Sequence, residues 1–68
     1  MTIQQAKAEI IEMWTKDFGC ASAELEGSPE ADKNGKVRRS ARCFVLKLDG
    51  EYTEIVYRKQ NDDLVQVD

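Results

Sequence analysis

The sequence predicts an α+β fold: one N-terminal helix packed on one face of a four-stranded antiparallel meander, in the order αββββ. Three observations predict it. Apolar residues recur at three- and four-residue steps between Ile3 and Phe18, the period of a helix with one buried side. Beyond Gly19 the apolar residues alternate with polar ones, the period of half-buried strands. Turn-forming residues at Asn34-Gly35, Asp49-Gly50 and Asn61-Asp62-Asp63 divide that alternation into segments short enough to pair as neighbours.

The helix is expected over residues 2–18. Thr2 and Gln5 have capping-box spacing, so the hydroxyl accepts from an early backbone N–H while the amide reaches back. Ile3, Ala6, Ile10, Met13, Trp14 and Phe18 form the apolar stripe, and Gly19 is placed to end the helix in a left-handed conformation. A short first strand follows, with Ala21, Ala23 and Leu25 on one side. Residues 27–35 (GSPEADKNG) read as a mobile polar loop within a single small domain, residues 1–68.

The second strand runs from Val37 to Leu48. Asp49-Gly50 suits a two-residue hairpin turn, which sets Leu48 opposite Glu51 and, by alternation, Lys47 opposite Tyr52, Phe44 opposite Ile55 and Cys43 opposite Val56. Leu64–Val67 can return as a fourth strand. With a three-residue loop, Val65 and Val67 join the Phe44/Ile55 face. The core is then Phe44, Leu46, Ile55 and Tyr57 against Ile10, Met13, Trp14 and Phe18.

One helix covers one face of such a sheet. On the other face this register sets Cys43, Val45, Val56 and Tyr52 at the centre, with Ala41 beside them and Arg39, Lys47, Glu54 and Arg58 around the rim. An apolar centre with a charged rim has the make-up of a protein contact. The expected partner-binding residues are therefore Arg39, Val45, Lys47, Tyr52, Glu54, Val56 and Arg58, toward another protein or a second copy of the chain. Two rival surfaces are also legible. Lys36, Arg38 and Arg42 lie in residues 33–47, which hold six cations and no acid, and could track a phosphate backbone. Glu9, Glu12, Glu24, Glu26 and Glu30 could present nucleic-acid-like charge to a basic protein.

Catalysis is poorly provided for. The chain has no histidine, hence neither the commonest general base nor the commonest neutral metal ligand. Cys20 and Cys43 are too far apart for a zinc spacing and too few for a disulfide framework. The acids lack a calcium-loop pattern, and the isolated glycines make no phosphate-cradling loop. No cofactor, metal or small-molecule substrate is expected, and 68 residues leave little material for a deep cleft.

With a net charge of −3, 41% hydrophobic and 34% charged residues, and no apolar run near the length of a membrane span, the chain reads as a cytoplasmic protein with reduced thiols and no membrane contact. Size and lack of catalytic equipment suit a small non-enzymatic accessory protein, of the kind phages and mobile elements use to inhibit host systems by covering a surface. That comparison is one of size and style, carried by no motif.

Overall fold

The computed structural model describes residues 2–67. In chain order these form helix α1 (Ile3–Glu12), a π-helical turn (Met13–Asp17), and strands β1 (Ala23–Ala31), β2 (Val37–Leu48), β3 (Glu51–Gln60) and β4 (Asp63–Gln66). The strands make one antiparallel sheet in the order β1-β2-β3-β4, with the helical segment packed on one face. The molecule measures 41 × 27 × 17 Å, thin enough for two layers only.

The capping box forms as its spacing demands. Thr2 Oγ1 accepts from the Gln5 N–H at 3.2 Å, and Gln5 Oε1 accepts from the Thr2 N–H at 2.8 Å. The helix does not keep its period to Phe18. From Met13 it widens into i→i+5 bonding, with the Phe18 N–H reaching Met13 O at 3.2 Å. Each wide turn takes in an extra residue, so side chains after Met13 fall behind the stripe set by Ile3, Ala6 and Ile10. Phe18 accordingly lies 62% exposed, against the Trp14 ring, instead of in the core. Trp14 is half-buried and is held by its indole N–H, which donates to the Tyr57 hydroxyl at 3.1 Å.

The core sits between α1 and the middle of the sheet. Ala6, Phe44, Tyr57 and Leu64 form its centre, flanked by Ile3, Ile10, Leu25 and Ile55. Leu46 beside them is fully buried. The α1 backbone comes nearest β1 and β4, so the sheet curls around it from both edges. Lys7 lays its ammonium 4.0 Å above the Phe44 ring, closing the side of the core with a cation–π contact.

Each hairpin has a clear local cause. Asp49 and Gly50 both take positive φ, 51° and 84°, as the two-residue turn requires. Asp49 Oδ1 also accepts from the Ser22 N–H, tying this turn to the start of β1. At the β1–β2 turn, Asp32 Oδ1 accepts from the N–H groups of Asn34 and Lys36. That turn is far shorter than the polar loop expected over 27–35: Gly27–Ala31 belong to β1, and only Asp32–Lys36 turn.

Two bulges alter the expected register. Leu48–Glu51 and Lys47–Tyr52 pair as the turn dictates, but the next pair is Val45–Val56, because Thr53, Glu54 and Ile55 all lie opposite Leu46. Thr53 Oγ1 holds this bulge by donating to Leu46 O and accepting from the Ile55 N–H. Phe44 therefore faces Tyr57, and Cys43 faces Arg58, each two positions beyond expectation.

The second bulge lies in β2. Between the Gly27–Phe44 and Pro29–Arg39 pairs, β1 spends one residue and β2 spends four. Buried Ser40 organises the excess, its Oγ accepting from the N–H groups of Arg42 and Cys43. The chains come so close here that a Cβ on Gly27 would lie 2.4 Å from Ser40 O. Beyond this point β1 and β2 continue as a two-stranded arm, residues 28–39.

The β3–β4 turn is also shorter than expected. Gln60 pairs with Asp63, leaving Asn61 and Asp62 as a two-residue turn with Asn61 at φ 57°. One residue fewer reverses every side chain of β4. Leu64 is buried, while Val65 and Val67 lie on the outer face instead of joining Phe44 and Ile55.

Gly27→Ala should destabilise the fold by about 1–3 kcal/mol, because the methyl group meets backbone and not a movable side chain. A urea melt that matches the wild-type midpoint would show that the arm is not pinned at this crossing.

Candidate functional site

The sheet face away from the helix is built from three rows of side chains. The central row runs Glu26, Val45 and Val56 across β1, β2 and β3 to Val67, just past the end of β4; the first three follow from the paired positions, and Val67 adjoins Val56 by donating its N–H to Val56 O. The row toward the Asp49-Gly50 turn is Glu24, Lys47 and Tyr52; the row on the other side is Cys43, Arg58 and Val65. Val45 and Val56 are half-buried, whereas Tyr52 and Val67 are 56% and 50% exposed. A concave apolar surface adjoins the row. Pro29 and Val37 from the arm, with Val45, Tyr52 and Val56 from the sheet, border an open groove of about 560 Å³. Val37 on its arm side is 63% exposed.

The charges around this surface form an ordered cluster on Glu26. Its Oε2 accepts from the Tyr52 hydroxyl at 2.6 Å, Arg39 Nη1 lies 3.7 Å from the same oxygen, and Lys47 Nζ lies 3.9 Å from Oε1. Lys47 also reaches Glu24 at 3.9 Å and sits 5.2 Å over the Tyr52 ring, while Arg39 donates to Gly27 O. The Tyr52 hydrogen bond is the main reason the Glu26 carboxyl titrates below its ordinary value of 4.5; Lys47 and Arg39 add to this, and desolvation opposes it. The cluster fixes the Tyr52 ring beside the valines, where a loose tyrosine would otherwise turn into solvent.

Of the residues expected at a partner contact, Arg39, Val45, Lys47, Tyr52 and Val56 come together in this way. Arg58 is exposed between Cys43 and Val65 and borders a shallow depression with Val65 and Val67. Glu54 is exposed on the β3 bulge, outside the paired rows. Sequence reasoning missed Pro29, Val37, Val65 and Val67 as members of this face. The signal for the last two was Asn61, which accepts positive φ readily and so favours the two-residue turn.

The rival surfaces separate differently. Lys36, Arg38 and Arg42 lie exposed on or beside the arm, and among the described residues none has a carboxylate within 4.0 Å. The five acids do not share one surface. Glu24 and Glu26 lie in the Lys47 cluster on the outer face, while Glu9 and Glu12 belong to the helix, where Glu12 pairs with Lys16 at 3.0 Å. The five acids expected to act together therefore form no single surface.

Both cysteines are free. No group of three or more His, Cys, Asp or Glu side chains among the described residues is arranged to hold a metal ion, and no helix among them is long and apolar enough to cross a membrane. Comparisons with protein-family models, curated proteins and solved structures find no match to this chain.

The depressed Glu26 value has a measurable consequence. Its carboxylate contributes stability above the unfolded value, and that contribution is lost as pH falls through the lower folded one. In an NMR titration the Glu26 midpoint should lie below 4.5, and Tyr52→Phe should move it upward. A midpoint unmoved by Tyr52→Phe would refute the assigned cause.

Proposed function

We propose that this chain is a small non-enzymatic protein-binding module, working in a reducing cytoplasmic setting, that inhibits by covering a surface of its partner. The observation that carries the reading is the uncovered valine row Val45–Val56–Val67 on the face away from the helix, with Tyr52 fixed beside it. Apolar side chains in line across β2, β3 and the residue after β4 give a flat, stiff contact surface, and a fixed aromatic ring makes an effective anchor because little freedom is lost on binding. Arg39, Lys47 and Arg58 supply the charged margin that sets orientation and approach. Occlusion is the activity that a flat apolar surface with a charged margin offers. A phage or mobile-element inhibitor is the kind of protein in which so small a unit suffices.

The test is comparative capture on immobilised protein. A partner retained by the wild type should be lost with Val56→Asp and kept with Glu9→Lys, with circular dichroism showing both variants folded. Retention by folded Val56→Asp would remove the valine row from the contact.

One observation favours a second reading, nucleic-acid binding by the arm and its base: the cations Lys36 and Arg38 on it and Arg42 beside it are exposed and, among the described residues, have no carboxylate within 4.0 Å, and a two-stranded ribbon fits a major groove. Binding of a duplex oligonucleotide at low salt that falls steeply with added salt, and falls again with Arg38→Ala, supports it. Absence of low-salt binding ends it.

A further inference from the structure

We propose that the occupant of the valine face is a second copy of this chain, the two related by a two-fold axis running along the strands between β2 and β3. The inference rests on the reading of that face as a protein contact and supplies the identity of the partner.

The first argument is surface. A compact chain of 7.7 kDa exposes about 4,300 Å², whereas this one exposes 5011 Å², roughly 700 Å² more. Its radius of gyration is 12.5 Å, against about 11 Å for a compact domain of this length. The excess is close to the roughly 800 Å² that each partner of a standard interface covers. The interior is correspondingly slight, with Leu46 the one large side chain fully buried among the described residues. A domain so small gains from oligomerisation what its own core lacks, and such a contribution must be present whenever the chain is folded. A second copy meets that condition, because it is made wherever the chain is made.

The second argument is complementarity. An axis along the strands lays β1 and β2 of one copy over β3 and β4 of the other, and stacks Val45 on the partner's Val56 and the reverse. The arm and the Asn61-Asp62 turn lie at the same end of the sheet, since β2 leaves the Val45 row toward the arm as β3 leaves it toward that turn. The arm of each copy therefore reaches the other's β3–β4 hairpin. Its apolar residues Pro29 and Val37 meet the partner's Val65 and the end of that hairpin, the partner's Val67 lies over Glu26 in the central row, and Arg38 of the arm with neighbouring Arg42 faces the partner's Asp62 and Asp63. Within one chain, among the described residues, none of these four charged groups has an opposite charge within 4.0 Å. The two-fold satisfies all four, twice over. An interface of this kind is self-complementary: what the arm offers, the hairpin accepts.

Sedimentation velocity on the full chain, from micromolar to near-millimolar concentration, tests this directly. The wild type should reach twice its monomer mass, and Val56→Asp or Val67→Asp, each folded by circular dichroism, should remain monomeric. Two charge-reversed chains give an orthogonal test that leaves the valines alone. R38E/R42E and D62K/D63K should each self-associate about tenfold or more weakly than the wild type, since like charges then oppose each other at both contacts. Their equimolar mixture should regain the dimer, because both contacts become attractive again. A wild type that stays monomeric throughout, a dimer indifferent to Val56→Asp and Val67→Asp, or a mixture that recovers nothing overturns the proposal. A monomeric wild type that still loses a captured protein on Val56→Asp would overturn the second copy alone and leave the face as a contact for a different protein.

Discussion

The close approach of Ala6 to Phe44, Tyr57 and Leu64 is the contact on which the rest of the structure depends. A methyl group at that point lets a ten-residue helix settle into the curl of four strands, and the larger side chains around it fill the remaining space. The helix is too short and too narrow to do more. It covers one side of the sheet, ends in a widened turn, and leaves Phe18 outside. The reverse face is what this economy leaves over. Its character therefore follows from how much of the chain was committed to covering the other.

Much of this was legible because it is local. The capping box, the Asp49-Gly50 turn, the alternation of β2 and the order αββββ each depend on residues within a few positions of one another. The same holds for the two faces of β2 and β3, which survive the displaced register. What escaped depends on contacts that only folding brings together. Nothing near Gly27 in sequence announces that Ser40 O will press against it, and nothing near Thr53 announces its bond to Leu46 O. The widened turn and the brevity of the β3–β4 connection were equally invisible to periodicity, and each changed which side chains are exposed. The candidate surface was in consequence found at its centre, Val45, Val56 and Tyr52, and missed at its margins, Pro29, Val37, Val65 and Val67.

The charged residues divide by what surrounds them. Arg39 and Lys47 are drawn onto Glu26, where the Tyr52 hydroxyl completes the set, and they act as a frame for the ring. Lys36, Arg38 and Arg42 meet no such acid among the described residues and remain available. A run of six cations that looks uniform in the sequence thus serves two ends, one structural and one outward. Counting charges along the chain cannot make that distinction; the pairing of β1 with β2 makes it.

The two bulges differ in one respect that matters beyond their positions. The excess on β3 is two residues and the excess on β2 is three. An even number restores the pleat to its former sense, so the body of the sheet keeps its obverse and reverse intact past the irregularity. An odd number does not: β2 carries Val45, Arg39 and Val37 along one side, while β1 changes sides past Gly27, so that in the ribbon beyond it Pro29 joins the face that Glu24 and Glu26 occupy before it. Lengthening the first by a further pair of residues would leave both surfaces as they are, whereas removing one residue from the second would present the opposite side of the ribbon. Parity at Ser40, more than the identity of any single basic residue, thus decides which way that limb shows its charges.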